Sequence, residues 1–140
     1  MGSVSTSVLR HAHCPVLIVR DLDQERQSLL EKIVVATDGS EEASAAPEAA
    51  MEVAKATGSG VHLVYAMQEE RYRPQLGPEM WEGWREGFEH ARRSACSWVE
   101  DQAQRLRAEG VKAVEPHLLL GRPDAAIVWL AEEIGAGLWW

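Results

Sequence analysis

Asp38 is the first residue of chemical interest. It stands in the run Ala36-Thr37-Asp38-Gly39-Ser40, directly after the apolar stretch Lys32-Ile33-Val34-Val35-Ala36. A carboxylate at the carboxyl end of a buried strand can accept hydrogen bonds from hydroxyls such as those of a ribose, and Ser40 can cap the helix that follows. The same residues also make an ordinary turn and cap with no ligand. A second cluster, Gly2-Ser3-Val4-Ser5-Thr6, opens a helical pattern. The unpaired N–H groups of a helix start attract anions, and serine hydroxyls add donors; a plain Ser3 N-cap accounts for the same residues. His11, His13 and Cys14 carry metal-ligating side chains, but no further ligand converges on them, so a helix end and a strand start are expected there and no metal. His62 and His117 fall in strand patterns and are expected as partly buried, hydrogen-bonded histidines. Trp81 and Trp84 are expected to pack on a sheet, Cys96 to be a small core residue, and Arg71 and Arg73 to be solvated charges. No residue is assigned a catalytic role.

Positioning Asp38 requires a sheet. Val4, Val8 and Ala12 recur at helical spacing over residues 3–13, and Pro15 ends that helix. Pro15-Val16-Leu17-Ile18-Val19 reads as a buried strand, and the polar residues 21–31 as a linker. Lys32–Ala36 is the next strand. An Ala-rich helix follows over 41–57, with Pro47 kinking it or marking its first turn, and Gly58 and Gly60 stop it. Val61–Ala66 is a strand, and 68–78, with Pro74, Gly77 and Pro78, is a loop. Steps of three and four from Trp84 to Leu106 predict a long helix over 79–109. Val111 to Leu120 holds another strand, centred on His117–Leu120. Pro123 opens a last helix, and Leu138 begins a last strand. Strands alternating with helices predict a parallel α/β sheet covered on both faces.

Composition narrows the function. The 140 residues make one domain, with 46% hydrophobic and 26% charged residues, an ordinary globular balance. The net charge of -8 opposes binding to nucleic acid or to an anionic membrane. No apolar run approaches the roughly 20 residues of a membrane helix, and the start of the chain lacks the pattern of a signal peptide. Two cysteines give no disulfide framework. A cytoplasmic protein is expected, without a nucleic-acid or membrane partner.

Taken together, the motifs resemble one family. Ile33 to Ser40, followed by the Ala-rich helix, is similar to the opening of a universal stress protein domain. Gly121-Arg122-Pro123 and the helix ending Ala131-Glu132-Glu133-Ile134-Gly135-Ala136-Gly137-Leu138 resemble its third helix entering its fourth strand. Gly2 to Val8 and His13 to Arg20 resemble its last helix and last strand. The resemblance implies an open five-stranded parallel sheet of Rossmann-like order 3-2-1-4-5, with the first 20 residues supplying the last helix and edge strand. Residues 1–20, linker 21–31 and residues 32–140 would then form one structural domain. It implies ATP as ligand and no enzymatic reaction. Asp38 would meet the adenosine end beside the backbone of Ala36 and Thr37, and Ala66 would line the adenine pocket. Gly2, Ser3, Val4 and Ser5 would hold phosphates and ribose. It also implies a homodimer through the edge strand Pro15 to Val19.

The sequence departs from the family in two ways. The family's phosphate loop runs G-x-x-G, then G-S or G-T; only Gly2-Ser3 is present. An adenine-nucleotide binder and an assembly module that has lost ATP therefore both remain as readings. An ATP pyrophosphatase-type hydrolase would carry S-G-G-x-D-S after the first strand, where this chain has Ala36-Thr37-Asp38-Gly39-Ser40. The helix and strand that the family places last also come first here. A fragment of a tandem protein, a closed permutant and a swapped dimer all produce that order. The linker spans at most about 36 Å, enough for closure within a chain or exchange between two. The ending Trp139-Trp140, where the family has aliphatic residues, suggests a frameshift in valine codons, which resequencing checks.

Overall fold

The computed structural model describes residues 31–40, 45–68 and 80–139. Four strands and three helices alternate: β1 (Lys32–Thr37), α1 (Ala45–Thr57), β2 (Gly60–Met67), α2 (Trp81–Ala108), β3 (Val114–Leu120), α3 (Pro123–Glu133) and β4 (Leu138–Trp139). The strands form one sheet in the order β3-β2-β1-β4, and every pairing is parallel. This is the α/β architecture expected, and the order agrees with positions three, two, one and four of the expected sheet. The fifth strand, Pro15 to Val19, its helix, and Gly2, Ser3, Val4 and Ser5 lie outside the described residues.

β1 is apolar on both faces because it lies inside the sheet, paired to β2 on one side and β4 on the other. Successive side chains point to opposite faces. Ile33 and Val35 therefore join Val61 and Leu63 of β2 on one face, beneath Ala50 and Ala54 of α1 and Val99, Ala103 and Leu106 of α2. Val34 and Val64 point the other way, against Leu130 and Ala131 of α3. The result is a three-layer sandwich with one core on each side of the sheet.

Local chemistry fixes the helix ends. Pro47 is the third residue of α1, where a missing N–H breaks no helical hydrogen bond. Gly58, at φ +79°, closes α1 and donates its N–H to the Ala54 carbonyl at 2.8 Å. Pro123 begins α3 with its fixed φ, and Gly135, at φ +64°, follows it.

Two expectations change. β3 begins at Val114 and runs through Pro116, earlier than the expected centre at His117. Proline is tolerated on an edge strand, and among the described strands β3 pairs only to β2. Cys96 is exposed, because the buried stripe of α2 passes through Ala95 and Val99 and one residue further along the helix turns about 100° away. Among the described residues no helix is long and apolar enough to cross a membrane.

Candidate functional site

The turn after β1 is built from its own side chains. Asp38 Oδ1 accepts the Ser40 N–H at 3.0 Å, and Thr37 Oγ1 accepts the Gly39 N–H at 3.2 Å. Both bonds skip one residue, the local pattern by which Asp and Thr bend a chain. Gly39 supplies the left-handed φ of +77° that the bend needs. A β-carbon there would stand 3.6 Å from the Tyr65 ring and 3.8 Å from Trp98. Those two rings meet edge to face at 5.9 Å, so the turn rests on an aromatic platform from β2 and α2. That platform is not legible in the sequence, because it depends on α2 crossing the end of β2.

The turn places the expected residues at the carboxyl end of the sheet. Asp38 is exposed and Thr37 is buried. Ala36 and Ala66 are half-buried and share the sheet face of Val34 and Val64, on neighbouring strands. Ala36 is in register with Val64, so Ala66 lies two residues further toward the strand ends. Asp38, Ala36 and Ala66 thus all lie toward the carboxyl end of the sheet. At the same end the Gly121 N–H donates to the Met67 carbonyl at 2.8 Å, which fixes the start of the β3–α3 connection.

A cleft of about 240 Å³ opens on the other face, between α1 and α2. Thr37, Ser40, Met51, Trp98 and Leu106 line it, and Asp38, Ala36 and Ala66 do not. Trp84 stacks on Phe88, 5.6 Å between centroids, and packs against the cluster of Met67 and Phe88, as expected of a sheet-packing residue.

A second constellation lies elsewhere on the sheet. His62 Nδ1 and His117 Nε2 are 3.0 Å apart, with their rings stacked at 24°. The Glu115 Oε2 is 3.6 Å from His62 Nδ1. His62 is 6% exposed, and burial holds its pKa below 6.5, with Glu115 opposing the shift and His117 and Lys32 adding to it. Burial lowers the pKa of His117 as well, again opposed by Glu115. Burial thus favours the neutral form of both rings, and a neutral pair at this distance shares one N–H, donated by one ring to the other. Each histidine was expected to have a hydrogen-bond partner; what sequence did not reveal is that each is the other's.

No curated protein matches the chain in sequence. Among solved structures it is similar to a protein of the universal stress protein family from Burkholderia pseudomallei, at 29% identity, TM-score 0.57 and 80% of each chain. It is also similar in fold to UspA from Lactobacillus plantarum, at 17% identity and TM-score 0.64, over 76% of this chain and 71% of that one. A universal stress protein solved in complex with cAMP shares the fold at 23% identity and TM-score 0.54, over 80% of this chain and 72% of that one. The pattern of the universal stress protein family itself matches residues 30–138, from the start of β1 into β4, and the chain therefore belongs to the universal stress protein family.

Proposed function

We propose that this chain is an adenine-nucleotide-binding module, with ATP as its ligand, and that it is not an enzyme. One observation carries the reading: the exposed Asp38 carboxylate follows β1 at the carboxyl end of the sheet, where Ala36 and Ala66 share one sheet face on neighbouring strands. A carboxylate at a strand end is suited to a ribose, and two alanines on neighbouring strands leave room for a flat base. The related universal stress protein solved with cAMP supports an adenine nucleotide as the ligand class.

Residues 3–13 and Pro15 to Val19 would add the last helix and a fifth strand beside β4, bringing Gly2, Ser3, Val4 and Ser5 toward the phosphates. The resemblance supports a homodimer through Pro15 to Val19, in a cytoplasmic protein. An apolar edge strand of that kind gains by being covered.

Calorimetric titration with ATP tests the reading. One site per chain is expected, and Asp38→Ala should weaken it about tenfold or more, the value of a charge-assisted hydrogen bond. Absence of heat at millimolar ATP would leave the module an assembly unit, and steady release of AMP or ADP would make it an enzyme.

A further inference from the structure

We propose that His62, His117 and Glu115 form a binding site for a transition-metal dication of the zinc class, on the sheet edge and separate from the nucleotide turn. The three ligand atoms lie within 4.8 Å of one another. The register explains why. His62 is the Cα partner of Glu115 across the β2–β3 ladder, and His117 stands two residues beyond Glu115 on the same face of β3. The alternation of the two strands therefore delivers all three side chains to one face, whatever their rotamers.

The distances suit a metal. Zinc–nitrogen bonds of about 2.0–2.1 Å, at angles between 90° and tetrahedral, set two ligand nitrogens about 2.9–3.4 Å apart. His62 Nδ1 and His117 Nε2, at 3.0 Å, already have that separation. Glu115 Oε2, at 3.6 Å from His62, is slightly wide. Its side chain is 68% exposed, so it can swing inward without disturbing the core. Two imidazoles and one carboxylate favour Zn²⁺, Co²⁺ or Ni²⁺ over Mg²⁺ or Ca²⁺, which prefer all-oxygen shells.

The protonation chemistry also balances. In the metal-free pair one ring donates its N–H to the other. Binding moves that proton to the same ring's second nitrogen and leaves both facing nitrogens with lone pairs. No net proton, oxidant or reductant is required. Burial favours the neutral rings that ligation needs. Lys32 is the opposing charge on this face, and its Nζ is held by the Ile134 carbonyl at 2.9 Å.

His62 is the register partner of Val34, three residues before Thr37, so the site lies about 10 Å along the sheet from the turn. Its test is independent of nucleotide. The full chain, freed of metal with a chelator and carrying no affinity tag, is titrated with Zn²⁺ by calorimetry and with Co²⁺ by visible absorption. One ion per chain is expected, with a Co²⁺ d–d band that Zn²⁺ abolishes. His117→Ala should lower Zn²⁺ affinity at least about tenfold, since even outer-shell changes at metal sites do so. Glu115→Gln, on an exposed side chain, should lower it less and keep the fold. A His11→Ala/His13→Ala variant should bind as the parent does. Absence of stoichiometric binding, indifference to His117→Ala, or loss of binding in the His11→Ala/His13→Ala variant would each overturn the proposal.

Discussion

The turn after β1 and the histidine pair on β2 and β3 occupy the same sheet, yet they are built on opposite principles. In the turn, two hydrogen bonds join residues two apart: Thr37 to Gly39, and Asp38 to Ser40. Those bonds lie within four consecutive residues, and the turn they shape rests on the Tyr65 and Trp98 rings. In the pair, the bonded nitrogens come from residues 55 positions apart. Its geometry exists only because β2 and β3 hold one register, and a slip of one residue would send His62 to the opposite face from His117. The two bonds within the turn do not depend on strand register, whereas the geometry of the pair does.

The largest expected effect breaks both regions together. Leu63 is fully buried, next to His62 in sequence but pointing into the core under α1 and α2. Leu63→Ala should destabilise the fold by about 2–5 kcal/mol, read from the midpoint of urea unfolding. At moderate urea, ATP and Zn²⁺ binding should fail at the same concentration. Retention of Zn²⁺ binding after the fold is lost would mean that the metal is held by residues other than the strand pair.

A smaller change should divide them. Gly39→Ala forces an L-residue to φ +77°, which costs about 1–2 kcal/mol, while its new β-carbon meets Tyr65 only at ordinary contact distance. The strain relaxes by shifting the turn. ATP affinity should fall and Zn²⁺ affinity should stay unchanged, measured by calorimetry on the same preparation. A matching loss of Zn²⁺ affinity would show that the two regions are coupled.

The same contrast decides what could be read from sequence. The turn was legible because Asp-Gly-Ser after an apolar run encodes its own bend. So were the strand cores: Lys32–Ala36 and Val61–Ala66 each lengthen by only one or two residues in the structure. The Pro123 helix start was legible for the same reason, since proline fixes its own φ. Pro116 concealed the start of β3, because its tolerance depends on the strand lying at an edge, which is a fact of topology. Cys96 faces solvent and not the core because one step around a long helix separates a core position from a solvent position. Candidate site residues followed the same division. Ala36, Asp38 and Ala66 were legible as residues at or just beyond strand ends, whereas the meeting of His62 and His117, 55 positions apart, required knowing a register.

The smallest expected effect is also the most selective for the register-built pair. Burial lowers the pKa of both rings from 6.5, and Glu115 offsets part of the shift in each. The unfolded chain therefore takes up protons near pH 6.5 that the folded chain refuses until lower pH. Stability from these groups is complete above 6.5, is lost as pH falls through that value, and levels off below the folded pKa values. Urea unfolding between pH 7.5 and 5.5 in excess chelator should show this fall, above the range where carboxylates titrate. Replacing both rings, as His62→Leu/His117→Leu, removes donor and acceptor together and leaves no orphaned polar atom in the core. The double variant should fold and should be nearly flat over the same pH range. A slope equal to the parent's would assign the titration to other groups. Loss of the slope with ATP binding intact would separate the two regions, since only one of them depends on histidines brought together by register.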